Sequence, residues 1–146
     1  MSHTVHITRQ RLPEFTLTPT DYGWEGSFPG EVHKLFDQEV HVKIDTRTVP
    51  DDPEILPPVS VNQAELVRLI TSNLNAILKQ VHEVMLKYND YDPDFAEFVE
   101  DPHVWLDSER DNGESWTFVI ERSDSPDFGY HVEFIGTDFV EIWAGD

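Results

Sequence analysis

The side chains of this sequence that could carry chemistry are histidines and carboxylates, because none of the 146 residues is a cysteine. Disulfides, thiolate nucleophiles, iron–sulfur clusters and cysteine zinc sites are therefore excluded. His82 and Glu83 begin like the pattern H-E-x-x-H, in which two histidines one helical turn apart bind zinc. Leu86 stands where the second histidine is required. We therefore expect no zinc site there and interpret His82 as a flank of an apolar helix face.

A second candidate is the run Asp90, Asp92 and Asp94, whose spacing is that of the opening of a calcium-binding loop. The remaining positions of the sequence do not match the calcium-loop pattern. Phe95 stands where the sharp turn needs glycine, and Asp101 stands where a bidentate glutamate is usual. We therefore expect Asp92 to cap a short helix rather than to bind calcium.

His33 and His41 flank a predicted hairpin and could bind a metal together only if they shared a face. Pairing Phe36 with Glu39 places His33 opposite Val42, so that His41 points to the other face, although a β-bulge would reverse this. The sequence also lacks the G-x-S-x-G, P-loop and G-x-G-x-x-G patterns. We expect no cofactor and no resident metal.

The stretch near the C-terminus combines aromatic rings with carboxylates. By alternation, Tyr130, Val132 and Phe134 share one face of a strand, and His131 and Glu133 share the other. Two interpretations remain open: a two-sided core strand with a polar edge, or an interaction patch anchored by Trp and Tyr. The residues of this candidate patch are Trp105, Asp124, Asp127, Tyr130, His131, Glu133 and Trp143.

The net charge of −19 is concentrated in the second half of the chain. Residues 1–87 hold 12 acids and 8 bases, whereas residues 88–146 hold 17 acids and only two bases, Arg110 and Arg122. Such a field repels nucleic acid and anionic membranes and attracts basic proteins. We therefore expect a non-enzymatic, acidic binding protein with a basic protein partner.

Two alternatives to this function remain. One is a small enzyme or ligand-binding domain with a pocket between helix and sheet, in which His103, His131 and Glu133 act as acid–base groups. The other is an oligomer that pairs through a free sheet edge. The sequence contains no apolar run of about 20 residues and no signal-like segment in its first thirty, so we expect a cytoplasmic protein that does not enter membranes.

The elements that position these residues begin with strands. Apolar residues alternate with polar ones around 5–7 and 15–18, and two further runs, 31–36 and 39–45, predict a hairpin that turns at Asp37-Gln38. Its second run should face the core through Val40, Val42 and Ile44. Four prolines between positions 49 and 58 predict a connecting loop.

One long helix is predicted over about 63–89, where apolar residues recur at spacings of three and four. Two overlapping capping boxes precede it, Ser60 with Gln63 and Asn62 with Glu65. A short helix should end before Pro102, followed by four strands at 103–109, 115–122, 130–135 and 139–143, the first two joined by a turn at 111–113. The sequence thus predicts one α+β domain over 1–146, with the helix packed on an antiparallel sheet that ends in a four-stranded meander.

This order of parts is similar to that of small uncharacterised bacterial domains, some of them suspected immunity proteins of contact-dependent toxin systems. The resemblance rests on Trp24-x-Gly26, the Val-x-Val-x-Ile run at 40–44, the long helix, the 116–122 segment Trp-Thr-Phe-Val-Ile-Glu-Arg and the aromatic meander. It covers the layout of most of the chain and implies a protein that binds and neutralises a partner.

Overall fold

The computed structural model describes residues 5–7, 12–46 and 58–145. The chain has a mixed α/β fold in which two helices, α1 (Val61–Ser72) and α2 (Leu74–Tyr88), pack on a large, mostly antiparallel sheet. The strands are β1 (Val5–Ile7), β2 (Leu12–Pro19), β3 (Gly23–Ser27), β4 (Lys34–Leu35), β5 (Gln38–Glu39), β6 (His41–Asp45), β7 (Val99–Leu106), β8 (Ser115–Arg122), β9 (Ser125–Ile135) and β10 (Asp138–Gly145).

Eight strands form the main sheet in the order β1-β2-β3-β6-β7-β8-β9-β10, and β4 pairs with β5 separately. Neighbouring strands of the main sheet run antiparallel, except that β6 and β7 are parallel and place His41 beside His103 and Lys43 beside Trp105. The parallel pair follows from the connection, because the chain forms both helices between β6 and β7.

Alternation along the central strands decides which sheet face is covered. The residues on the helix side are at most 2% exposed and form the core with Ile70, Ile77 and Met85 of the helices. The predicted inward positions of the run 39–45 are thereby confirmed, since Val40, Val42 and Ile44 are all buried. The core residues of the four central strands β6 to β9 are Val42, Ile44, Val104, Leu106, Trp116, Phe118, Ile120, Tyr130, Val132 and Phe134.

The prediction of one continuous helix over 63–89 is wrong, because the helix is interrupted at Asn73. Its side-chain amide donates to the Leu69 carbonyl at 2.8 Å, its backbone N–H donates to the Ile70 carbonyl at 3.1 Å, and its φ is −121°. An amide that bonds to the preceding turn competes with the regular helical pattern. The apolar spacing from Ile70 to Leu74 continues across the break, so the periodicity gave no sign of it.

The capping box at the start of α1 is confirmed. Gln63 N–H donates to Ser60 Oγ at 2.9 Å, and Ser60 N–H donates to Gln63 Oε1 at 3.1 Å. The Gln63 amide also donates to the Asp45 carbonyl at 2.8 Å, which fixes α1 to the end of β6. Asn62 does not cap the helix but donates to Asp111 Oδ1 at 2.8 Å and to the Gly113 carbonyl at 3.0 Å.

The hairpin predicted over 31–45 is reduced to the short β4–β5 pair. Its turn lies at Phe36 and Asp37, which have φ values of 47° and 69°. Strand β6 instead pairs with β3 and β7, which gives it a neighbour on both sides and places its apolar face in the core. His33 therefore does not face His41: it packs against Phe28, with ring centroids 6.5 Å apart, whereas His41 contacts Glu39 at 3.1 Å.

Strand β7 begins at Val99, earlier than the sequence predicts. Pro102 lies inside it, where the register with β8 shifts between Glu100 and His103, and a proline is tolerated at such a bulge. The expected short helix is a single 3₁₀ turn, Phe95–Phe98, preceded by Asp94 rather than Asp92. Another 3₁₀ turn, Ser108–Arg110, lengthens the connection to β8.

Two further predictions concern the connecting loop and the absence of a membrane-spanning segment. The proline-rich loop at 49–58 lies, apart from residue 58, outside the described residues. Within the described residues, no helix is long and apolar enough to cross a membrane.

Candidate functional site

A pocket of about 540 Å³, the open-face pocket, lies on the sheet face that points away from the helices. The alternative hypothesis of a small enzyme or ligand-binding domain requires a pocket between helix and sheet, but the core side chains occupy that interface in the described residues. The open face differs because its strand positions are mostly polar or aromatic. The strand residues that line the pocket are Lys43, His103, Trp105, Thr117, Val119, Glu121, Asp127, Phe128, Gly129, His131, Glu133, Trp143 and Gly145.

Strand register brings together residues that are far apart in the sequence. His103 of β7 pairs with Val119 of β8, which pairs with His131 of β9. His131 in turn pairs with Trp143 of β10. One row of the pocket floor is thus drawn from four strands, and the connecting segments complete its walls with Tyr22, Asp107 and Arg110.

Five residues of the predicted patch line this pocket, namely Trp105, Asp127, His131, Glu133 and Trp143. The other two lie elsewhere. Tyr130 is 2% exposed, on the core face, and its hydroxyl donates to Asn89 Oδ1 at 3.0 Å. Asp124 accepts two hydrogen bonds from Arg122, at 2.7 and 2.8 Å.

Aromatic rings form two walls of the pocket. The rings of Tyr22 and Trp105 are 5.2 Å apart and inclined at 57°. His131 and Trp143 are stacked, with centroids 3.8 Å apart and 10° between their planes. Burial lowers the pKa of His131, although a hydrogen bond with the Gly145 backbone and the charge of Glu133 oppose this effect.

A polar group surrounds Thr117, which is 3% exposed. Its hydroxyl accepts a hydrogen bond from Arg110 Nη2 at 2.7 Å and donates one to Glu133 Oε1. Arg110 Nη1 also lies 3.4 Å from Glu133 Oε2. The carboxylate of Glu133 is therefore fixed in place and partly neutralised.

A second polar group is centred on Asp101. Lys43 Nζ contacts Asp101 Oδ2, and His103 Nδ1 lies 2.8 Å from the Asp101 carbonyl oxygen. The φ of Asp101 is 47°, in the left-handed region that a non-glycine residue adopts only at a cost. This backbone conformation positions the carboxylate between Lys43 and the neighbouring side chain of Glu121.

The two carboxyl groups of this cluster titrate at very different pH values. Burial raises the pKa of Glu121 to about 7, and its hydrogen bond with the charged Asp101 raises it as well. Burial also acts on Asp101, but hydrogen bonds with Lys43 and Glu121 outweigh it and lower the pKa of that residue. The pair therefore shares one proton near neutral pH, as in acid–base sites.

His103 is neutral beside this pair, because burial and the charge of Lys43 lower its pKa to about 4. Asp101, His103 and Glu121 offer ligand atoms that lie within 4.8 Å of one another, a spacing that suits a divalent cation. The Lys43 ammonium already neutralises Asp101 and so competes with a metal for this position. The proton-sharing pair is therefore the chemistry that the arrangement favours.

Lys43, Asp101 and Glu121 belong to the site although the sequence pattern did not predict them there. They come from three strands, and Lys43 is 58 positions from Asp101. The only signal was the alternation in β6 and β8, which pointed Lys43 and Glu121 away from the core. The positive φ of Asp101 has no counterpart in the sequence pattern.

Comparison with known proteins gives no match to a family model, to a curated protein or to a solved structure. The function of the pocket therefore has to be inferred from its own residues.

Proposed function

We propose that the protein is an acidic binding protein that takes up a basic side chain of a partner protein in the open-face pocket. The observation that carries this proposal is that Trp105, Trp143, Asp127 and Glu133 line a single pocket. Flat aromatic faces attract cations through the ring quadrupole, and carboxylates accept the hydrogen bonds of a guanidinium or ammonium group. This combination favours a cationic group over an anionic or neutral one.

The charge balance of the pocket supports the same conclusion. Four carboxyl groups line it, from Asp107, Glu121, Asp127 and Glu133, of which Glu121 shares its proton with Asp101, against two cationic side chains. Both cations are engaged, Lys43 by Asp101 and Arg110 by Glu133. An incoming basic residue therefore meets a negative field, which raises association rates and selects against acidic partners.

A bacterial immunity protein that neutralises a basic toxin domain is one form of this function, and it is the form that the resemblance of layout implies. The aromatic residues of the pocket would supply most of the affinity in such a complex, since Trp is enriched among the residues that dominate binding energy. Trp143 is the best placed for this role, because it remains 42% exposed although one face is stacked on His131.

Calorimetric titration with an oligo-arginine and an oligo-glutamate peptide tests the proposal. The arginine peptide should bind and the glutamate peptide should not, and affinity should fall steeply between low and high salt. Trp143→Ala should weaken binding by about tenfold or more, the size typical of an interface anchor. The matched control is Val140→Ala on the same strand, where the side chain is 51% exposed and does not line the pocket.

Equal binding of both peptides, or an unchanged affinity in Trp143→Ala, would rule out the pocket as a cation-binding site.

A small enzyme is the second candidate function, and the Asp101–Glu121 pair is the observation that favours it. A carboxyl group with a pKa of about 7 beside a pocket can donate and accept protons at neutral pH. A panel of chromogenic ester, phosphate and glycoside substrates tests this candidate. Turnover by the parent that is lost in Glu121→Gln and kept in Val140→Ala would support it, and turnover unaffected by Glu121→Gln would contradict it.

A further inference from the structure

Strand β10 forms one edge of the eight-stranded sheet and, among the described residues, pairs with β9 alone. A strand with a single neighbour presents a row of outward backbone N–H and C=O groups that can pair with another chain. The register with β9 is interrupted near Val140 and is regular over 141–145. This regular part offers five consecutive residues as a template for a further strand.

The side chains of β10 connect this edge with the pocket. Glu141 lies opposite Glu133, and Trp143 lies opposite His131, so both point to the pocket face. Ile142 and Ala144 point to the other face, where they pack against the core. A strand added outside β10 would therefore extend the pocket floor beyond Trp143.

The charges along this edge select the kind of strand that can be added. Glu133 and Glu141 are direct cross-strand neighbours, an arrangement of like charges that destabilises a sheet. Arg110 approaches Glu133, whereas β10 itself carries Asp138 and Glu141 and no basic residue. A cationic side chain opposite Glu141 on an added strand would offset this repulsion.

We propose that β10 pairs with an extended, basic segment of the partner protein, which adds a ninth strand to the sheet and brings an arginine or lysine to the pocket. This inference rests on the proposed function of the pocket and goes further, since it specifies the conformation of the partner. A second copy of this chain fits poorly, because pairing β10 with β10 brings the Asp138 and Glu141 side chains of both copies onto one ribbon.

The spacing of strands makes the contact with the pocket feasible. Neighbouring strands lie about 4.8 Å apart, so a residue opposite Trp143 on the added strand lies within side-chain reach of the indole and of the pocket rim. Side chains of the added strand alternate between the two sheet faces, so every second residue faces the pocket. Recognition should therefore show a period of two along the partner segment.

A synthetic peptide of alternating arginine and threonine, which favours the extended conformation, is the probe for this test. Single N-methyl groups are placed at successive positions, since each removes one backbone donor. We expect affinity to fall about fivefold or more at alternate positions and to change little at the positions between them. Glu141→Gln and Trp143→Ala should lower the affinity of the protein for the unmethylated peptide. Glu97→Gln, at an exposed glutamate of the 3₁₀ turn Phe95–Phe98, should leave that affinity unchanged.

The outcomes separate this inference from the pocket function. Binding that depends on Trp143 but shows no alternation among the N-methylated peptides overturns edge pairing and leaves the pocket function intact. Absence of binding, or binding that Trp143→Ala does not weaken, overturns the pocket function. Concentration-dependent dimers in sedimentation that Glu141→Gln strengthens would identify a second copy as the occupant of the edge and overturn the inference.

Discussion

The imidazole of His131 lies flat against the indole of Trp143, with ring centroids 3.8 Å apart and 10° between the ring planes. The two residues are cross-strand partners on β9 and β10, and both line the open pocket. One face of the indole is thereby covered and held in place, while the side chain remains 42% exposed. The pairing fixes the anchor that the proposed binding function requires.

Removing the indole should change the titration of its partner. Burial lowers the pKa of His131, and Trp143 supplies part of that burial, so Trp143→Ala should return the pKa of His131 towards its ordinary value of 6.5. NMR titration of the imidazole C–H resonances measures this, with His131→Gln for assignment and Val140→Ala as the control. An unchanged pKa in Trp143→Ala would contradict the role of the stack.

The shared proton of Asp101 and Glu121 predicts a dependence of stability on pH. The pKa of Glu121 is about 7 in the folded protein against an ordinary value of 4.5, so its neutral form stabilises the fold below about pH 4.5 and this contribution is lost as the pH rises through 7. Glu121→Gln keeps a neutral side chain at every pH. The Glu121→Gln variant should therefore have a higher urea midpoint of unfolding than the parent at pH 8.5 and a similar midpoint at pH 4.5.

The exposed Glu97→Gln is the control for this measurement, because it removes a carboxyl group that does not line the pocket. A Glu121→Gln variant that is less stable than the parent above pH 7 would show that the Glu121 carboxylate is stabilised rather than repelled in its site.

The contribution of His103 to stability should change with pH in the opposite direction to that of Glu121. Its pKa is about 4 when folded against an ordinary 6.5, so the unfolded chain binds the proton first and stability falls as the pH drops from 6.5 to 4. The loss should approach roughly 3 kcal/mol at the acid end. Urea titrations in the Glu121→Gln background, which removes the opposing carboxyl, should show this loss, and His103→Gln should reduce it.

The exposed His82 provides the matched comparison for His103, since His82→Gln removes an imidazole that does not line the pocket. Equal slopes in both histidine variants would contradict a depressed pKa at His103.

Gly23 is required where β3 lies against the end of β6. A Cβ at this position would lie 2.9 Å from the Thr46 backbone nitrogen and closer still to the Ile44 carbonyl oxygen, and neither backbone group can move aside. We expect Gly23→Ala to destabilise the fold by about 3 kcal/mol or more. Gly113→Ala is the control, because nothing lies within 4 Å of its added Cβ; similar thermal midpoints for both variants would contradict this packing.

The capping box of α1 predicts a smaller effect. Ser60→Ala removes the acceptor of the Gln63 N–H and should cost about 1 kcal/mol in the free energy of unfolding. Gln63→Ala should cost more, because it also removes the hydrogen bond to the Asp45 carbonyl. Ser72→Ala, at the exposed end of the same helix, should be nearly neutral. Denaturant unfolding of the three variants measures their free energies of unfolding. An equal loss of stability in Ser60→Ala and Ser72→Ala would contradict the role of Ser60 as the N-cap.

Sequence alone determined the features that depend on near neighbours. Alternation with a period of two assigned the inward faces of β6 and β8, because side chains of a strand point to opposite sides. The capping box located the start of α1, because Ser60 and Gln63 bond to each other's backbone. The distribution of charged residues placed the acidic charge after residue 87, and alternation put His131 and Glu133 on one strand face of the candidate patch.

Only the tertiary structure decided what depends on distant pairing. The parallel β6–β7 pair joins Lys43 to Asp101, 58 positions away, and no local pattern encodes that contact. Because of the same pairing, the second run of the predicted hairpin is a central strand of the sheet. The pocket lies on the sheet face that the helices do not cover. The break at Asn73 was hidden because the apolar spacing continues through it. Contacts of this kind arise from the competition of whole strands for partners, so they appear only when the complete sheet is assembled.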